Sequence, residues 1–232
     1  SRSRETLPQL VRDEKGEAAD REKKEQERSF AEKYFIADVL PVLSPQIINA
    51  HHPFPHLVNK AIYIVLQLKI SDKTAYGIIP MPAMQERLIF LPGNGMRYIL
   101  LEELIYQYAE RVFDNCEIHA KSIICVTRNA DVNVDSLPDE DEDFRHHMKK
   151  VLRKRSRLAP VRLEHCGPIH DKLEKFLRGK LELKKEQVFQ SSAPLEMSYV
   201  FPLLDKVPDR ISQAVTYVPF EPQVPPWFKA GD

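Results

Sequence analysis

Residues 34–68 read YFIADVLPVLSPQIINAHHPFPHLVNKAIYIVLQL, and they are the most informative part of the sequence about the fold. It begins with the end of a helix whose apolar residues recur at helical spacing: Phe30, Tyr34, Phe35, Val39 and Leu40. Because proline cannot continue a helix, we expect this helix to dock on a core and to stop before Pro41. A turn rich in proline and histidine follows. The alternation of Ile62, Ile64, Leu66 and Leu68 then predicts a β-strand with one face in the core.

Further alternating apolar runs, each bounded by turn residues, predict more strands. The early ones cover residues 61–70, 75–81 and 87–91, and short turns between them favour antiparallel pairing. Later strands are expected at residues 117–127, 131–134, 161–165 and 188–189. Amphipathic helices are predicted over residues 100–112, over residues 139–157 and in the stretch from Ile169 to Leu177. The predicted class is α+β, a mostly antiparallel sheet with packed helices, preceded by a helical segment.

Composition divides the chain into three parts. Residues 1–29 would be a charged helical lead, because residues 13–28 are mostly charges of alternating sign and predict a solvated helix or a flexible lead. Residues 30–218 would form the α+β domain. Prolines recur beyond Ser191, so the chain there is expected to be extended, and residues 219–232 would be a linker.

The balance of charge and the cysteine content narrow the class of protein. Lys plus Arg and Asp plus Glu each number 34, so no overall field attracts nucleic acid or membrane. Three widely spaced cysteines suit a reducing cytoplasm better than a disulfide framework. No apolar stretch approaches the roughly 20 residues that span a bilayer, and we expect no signal peptide.

Histidine and cysteine motifs do not predict a catalytic or metal site. The adjacent pairs His51–His52 and His146–His147 would point in different directions on a regular element, and H-E-x-x-H is missing. His165–Cys166 would face opposite sides of a strand. The turn at residues 92–95, PGNG, lacks the Lys-Ser/Thr of a phosphate-binding loop. We therefore expect no catalytic, cofactor-binding or metal-binding residue in this chain.

Basic residues offer candidate contacts for an anion. The candidates are Arg128, Lys149, Lys150, Arg153, Lys154 and Arg157. For the run 149–157, the simpler interpretation is a solvated helix end that complements the helix dipole. For Arg128, the simpler interpretation is a local salt bridge with Asp131.

Four stretches, in order, resemble the middle domain of bacterial polyphosphate kinases. They are VLPVLSP with HPFPHLVN, LPGNGMRYILLEELI, ICVTRNADVNVD and APVRLEHCGPIHDKLEKFLRGKL, and the agreement extends over roughly residues 34–222. Asn129, where the family often has Asp, and Cys166–Gly167 are small departures.

This resemblance implies the family's head domain, an α+β domain likened to the phox-homology fold and associated with dimer formation. The parent would be a cytoplasmic bacterial enzyme that reversibly transfers the ATP γ-phosphate to polyphosphate through a phosphohistidine, with Mg²⁺. ATP and polyphosphate would bind through other domains. By the same resemblance, residues 1–29 would be the tail of the family's N-terminal domain, and residues 219–232 would lead toward a catalytic domain. The expected partner is a second copy in a homodimer or higher homo-oligomer, not nucleic acid, and membrane association would come only through the parent.

Two other functions remain open. A free-standing module could bind phosphorylated ligands with Arg128 and the helix at residues 149–157. A self-contained hydrolase could use His and Asp near the HHPFPH turn.

Overall fold

The computed structural model describes residues 17–49, 52–71, 73–93, 96–129 and 159–215, with Tyr217 and Phe220. These residues fall into two compact units, residues 1–197 and 198–232. None of the described helices is both long and apolar enough to cross a membrane. The predicted strand at 131–134, the predicted helix at 139–157 and the linker at 219–232 lie outside the described residues, apart from Phe220.

The first unit opens with a long helix that changes its winding before it ends. The α-helix α1 (Glu17–Tyr34) continues into a π-helical turn (Phe35–Val39) and a 3₁₀ turn (Leu40–Val42). The predicted stop before Pro41 is therefore wrong: Pro41 lies inside the 3₁₀ turn, near its start, where a missing N–H costs little.

Six of the described strands form one sheet in the order β1-β3-β2-β6-β7-β8. Their bounds are β1 (Gln46–Ile48), β2 (Ile62–Ile70), β3 (Lys73–Pro80), β6 (Glu117–Arg128), β7 (Pro160–Cys166) and β8 (Val188–Ser191). Neighbours pair antiparallel except β7 with β8, which pair in parallel. A separate two-stranded sheet joins β4 (Leu88–Phe90) to β5 (Tyr98–Leu100). The α+β class with a mostly antiparallel sheet is thus confirmed.

Two apolar cores lie on opposite faces of β2. Ile62, Ile64, Leu66 and Leu68 join one core with Phe35, Val39 and helix α2 (Leu101–Gln107). Tyr63 and Val65 join the other core, which contains the buried leucines of helix α4 (Asp171–Leu181): Leu173, Leu177 and Leu181. The predicted helix over residues 100–112 is divided at Tyr108 into α2 and α3 (Ala109–Val112).

The second unit is helical where it is described. Helix α5 covers Val200–Leu204 and helix α6 covers Asp209–Val215. The extended conformation expected beyond Ser191 is therefore wrong for these residues. Pro202 lies in the first turn of α5 and Pro208 directly precedes α6, and both are positions where a helix tolerates proline.

Candidate functional site

Arg128 is the one predicted anion contact that the described residues include, and it lies at the end of β6. Its backbone N–H donates to Oδ1 of Asn59 at 2.8 Å, and its Nε donates to the carbonyl of Leu57 at 2.6 Å. The backbone N–H of Lys60 donates to the carbonyl of Val126 at 2.8 Å, with Lys60 in the left-handed region at φ 58°. These bonds fasten the HPFPHLVN turn to the end of β6.

Partial burial affects the protonation of Arg128 and of the neighbouring His56. Arg128 is half-buried, and this burial lowers the pKa of its guanidinium. For His56, loss of hydration and then the positive charge of Arg128 lower the pKa of the imidazole below its ordinary value of 6.5. His56 is therefore mainly neutral at pH 7, whereas the guanidinium of Arg128 keeps its positive charge.

The rest of the proline-histidine turn has a packing role. His52 donates its backbone N–H to Oδ1 of Asn49 at 2.9 Å. The ring of Phe54 meets the ring of Phe176 edge-on at 6.0 Å, and Phe176 stacks on Tyr76 at 3.5 Å. The turn thus packs an aromatic ring against α4.

The other predicted anion contacts lie outside the described residues. They are Lys149, Lys150, Arg153, Lys154 and Arg157. Asp131, the expected salt-bridge partner of Arg128, also lies outside. Their contacts with anions remain predictions.

Sequence reasoning missed a half-buried ion-pair cluster around Arg87. Its Nη2 lies 2.6 Å from Oε1 of Glu102, and its Nε donates to both carboxylate oxygens of Glu102 at 3.1 Å. Its Nη1 pairs with the carboxylate of Glu196, and its Nη2 also donates to the Glu196 carbonyl at 2.8 Å. One side chain thus joins the start of β4, the first turn of α2 and the segment that precedes residue 198.

A second charged pair holds α1 to the β4–β5 sheet. Nη1 of Arg97 lies 2.6 Å from Oε1 of Glu27, whose side chain is 3% exposed. Oε2 of Glu27 is buried without a hydrogen-bond partner. Burial is the main cause that raises the pKa of Glu27, against the opposing charge of Arg97. The predicted solvated character of the lead is therefore wrong at Glu27.

Cysteine and histidine side chains in the sheet show no catalytic arrangement. His165 is buried, and its Nδ1 lies 2.6 Å from the carbonyl of Gly167. Burial, followed by the charge of Glu164, raises the pKa of the Cys125 thiol to about 11, which disfavours the nucleophilic thiolate. Across the described ranges, no group of three or more His, Cys, Asp or Glu side chains could hold a metal ion.

The two most buried carboxylates are therefore committed to internal contacts. Glu27 and Glu102 each face an arginine. Such pairs fix helices and loops on the sheet. They do not aim a nucleophile and several cations at one point, which phosphoryl transfer requires.

Comparisons with known proteins match most of the chain. The profile of the family described as "Polyphosphate kinase middle domain" matches residues 26–203. A polyphosphate kinase of Bacillus anthracis is 33% identical over 192 residues, which cover 78% of this chain and 27% of the relative. A polyphosphate kinase of Bacillus cereus is 32% identical over 210 residues, which cover 86% of this chain and 29% of the relative. This chain therefore spans less than a third of these relatives' length.

A solved structure agrees with these matches at the level of the fold. The crystal structure of polyphosphate kinase from Porphyromonas gingivalis superposes with a TM-score of 0.60 at 17% identity. The superposition covers 86% of this chain and 28% of that one.

Proposed function

This chain belongs to the polyphosphate kinase family, whose middle domain it matches, and from that premise we propose that it is a non-catalytic scaffold within a longer enzyme. The parent would transfer the γ-phosphate of ATP reversibly to polyphosphate through a phosphohistidine. The chain covers 27 to 29% of the two Bacillus relatives, so the proposal assigns that chemistry to the remainder of the polypeptide.

One observation carries the scaffold role. The two most buried carboxylates of the described residues, Glu27 and Glu102, are each neutralised by an arginine from another segment. A charged group that is removed from water needs such a partner, so these pairs serve to hold the domain together. They are not available for substrate.

The two buried carboxylates, Glu27 and Glu102, are poor candidates for a Mg²⁺ site. A Mg²⁺ ion bound to nucleotide prefers one or two accessible carboxylates beside the phosphates, whereas these two already face guanidiniums. We therefore propose that ATP, Mg²⁺ and the growing polyphosphate bind elsewhere in the parent.

We also propose that the parent self-associates and that it works in a reducing compartment. The middle domain would contribute to a homodimer or a higher homo-oligomer. In the described residues no disulfide joins Cys116, Cys125 and Cys166, which supports a cytoplasmic setting.

Labelling with ³²P tests the assignment of catalysis. The eight histidines of this chain would be replaced one at a time by alanine in the full-length parent: His51, His52, His56, His119, His146, His147, His165 and His170. Each variant that keeps its circular dichroism spectrum should still form phosphohistidine from [γ-³²P]ATP. Loss of the label from one folded variant would place the phosphorylated residue in this chain.

A second function, anion binding, is favoured by the geometry of Arg128. The Leu57 carbonyl orients its guanidinium at the end of the sheet, close to where residues 130–158 follow. The basic run at residues 149–157 would extend this corner toward polyphosphate. Binding would then depend steeply on salt, because each neutralised phosphate releases counterions.

Salt titration of polyphosphate binding separates this function from a purely structural role. Replacement of Lys149, Lys150, Arg153, Lys154 and Arg157 by glutamine should weaken binding and flatten its salt dependence. The matched control replaces five exposed lysines by glutamine: Lys172, Lys175, Lys180, Lys184 and Lys185. Equal binding by both variants would leave the solvated-helix interpretation standing.

A further inference from the structure

Exposed apolar side chains concentrate in the second unit. Its exposed large apolar residues are Phe201, Leu204, Ile211, Tyr217 and Phe220. Phe201 is 73% exposed, Tyr217 95% and Phe220 86%. No other stretch of comparable length in the described part of the chain carries as many. A concentration of exposed apolar side chains of this kind is typical of an interface.

The helices of this unit are too short to be stable on their own. Helix α5 has 5 residues and α6 has 7, whereas isolated helices of fewer than about 12 residues are marginal in water. Most helical stability in proteins comes from packing an apolar face on a neighbour. The exposed Phe201, Leu204 and Ile211 are the side chains with which these two helices would pack.

The second unit follows closely after Glu196, a residue that is held in place within the first unit. Glu196 is bound through both its carboxylate and its carbonyl to Arg87. Met197, directly after it, is exposed. The ion pair therefore sets where the polypeptide leaves the first unit.

We propose that the described residues from Ser198 to Phe220 form a docking surface for the region that follows the middle domain in the same polyphosphate kinase polypeptide. This inference rests on the proposed function. The middle-domain profile ends at residue 203, before Ile211, Tyr217 and Phe220, and the Bacillus relatives are far longer than this chain.

Charge and connectivity favour the following region of the same polypeptide over a polyanion or a second copy as the partner of this surface. Asp205, Lys206, Asp209 and Arg210 balance one another, so the surface does not attract a polyanion. A region joined by a short link is present at an effective concentration of about millimolar, which suffices for a modest apolar contact. A separate second copy would need a larger interface at its ordinary concentration.

Hydroxyl-radical footprinting of the full-length parent tests the surface directly. Phe201 and Phe220 are the probes, and Phe90 and Phe189, which are less exposed in the first unit, are the controls. We expect Phe201 and Phe220 to be modified at least threefold more slowly than the controls. Modification at the rate of the controls or faster would overturn the docking surface. If the protection of Phe201 and Phe220 is lost on dilution to the monomer, the surface binds a second copy, and the proposed intramolecular contact is wrong.

A pair of variants links the footprint to the side chains. The double variant Phe201→Ser/Ile211→Ser in the parent should raise tryptic cleavage at Lys206 and Arg210 about tenfold. The control Met84→Ser removes a side chain that is 96% exposed in the first unit and should leave this cleavage unchanged. Unchanged cleavage in the double variant would contradict the proposal. Footprint and cleavage both report contact rather than turnover, so failure of the proposed chemistry would appear separately, as absent phosphohistidine.

Discussion

Nη2 of Arg87 lies 2.6 Å from a carboxylate oxygen of Glu102 that is almost completely removed from water. The two residues are 15 positions apart, and the pair fixes β4 against the first turn of α2. Because Glu102 has no route to solvent, the arginine is the group that makes its burial tolerable.

We expect Arg87→Ala to lower the free energy of unfolding by about 3 kcal/mol, since it leaves a buried carboxylate without its cation. The control is Arg111→Ala, which breaks the pair between Arg111 and Glu32 at 2.5 Å, where both side chains are well exposed. That change should cost less than about 1 kcal/mol. Urea denaturation measures both, and equal losses would show that the Arg87 pair does not hold the domain.

Glu27→Gln should alter how stability depends on pH. Burial raises the pKa of Glu27 in the folded state above its ordinary 4.5, so the folded state binds a proton more readily than the unfolded state. The stabilisation from this proton is fully present below the unfolded-state pKa and is lost as pH rises through the raised pKa. Wild type should therefore lose stability relative to the variant over that interval.

Urea midpoints measured from pH 4 upward test this expectation. The control is Glu25→Gln on the same helix, where the side chain is exposed. Its midpoints should run parallel to those of wild type. A Glu27→Gln curve that also ran parallel would contradict the raised pKa.

Replacement by alanine should change the stability of the fold in opposite directions at two glycines. A Cβ on Gly77 in β3 would lie 2.8 Å from Cζ of Phe113 and 3.1 Å from Cδ1 of Leu68, both in the core. Gly77→Ala should therefore destabilise the fold by about 1–3 kcal/mol. A Cβ on Gly179 in α4 would meet nothing within 4 Å, so Gly179→Ala should stabilise it by about 0.5–1 kcal/mol. Thermal unfolding gives both signs, and stabilisation by Gly77→Ala would contradict the close packing of β3.

Asn59→Ala should loosen the proline-histidine turn. The backbone N–H of Arg128 would lose its acceptor in a half-buried position, at a cost of about 1 kcal/mol. Asn115→Ala, at an exposed site where the amide contacts only Asp114 at 3.1 Å, is the control. Chemical denaturation of the two variants compares them. Equal stability would mean that Asn59 does not hold the end of β6.

The longer strands were the most predictable part of the fold. The two-residue repeat of their apolar side chains is visible in consecutive residues, as from Ile62 to Leu68, and the structure places this strand at the centre of the sheet. β1 and β5 were not predicted, because strands of 3 residues are too short to show a repeat. Helices α5 and α6 were missed because Pro202 and Pro208 indicated extended chain, although proline is compatible with a helix start.

The charged clusters could not be predicted from spacing. Arg87 and Glu196 are 109 positions apart, and nothing in either local sequence marks them as partners. Glu27 stands among exposed charges and is buried only because it shares a helical face with Ala31 and Phe35. The resemblance to the polyphosphate kinase middle domain, by contrast, was visible in four motifs and is confirmed by the family match.

The most direct test of the scaffold role is a turnover assay with the purified 232-residue chain, ATP, Mg²⁺ and a polyphosphate primer, beside the full-length parent at equal concentration. A cooperative unfolding transition would first establish that the chain is folded. We expect polyphosphate synthesis by the parent and none by the chain. Measurable synthesis by the folded chain alone would contradict the scaffold role.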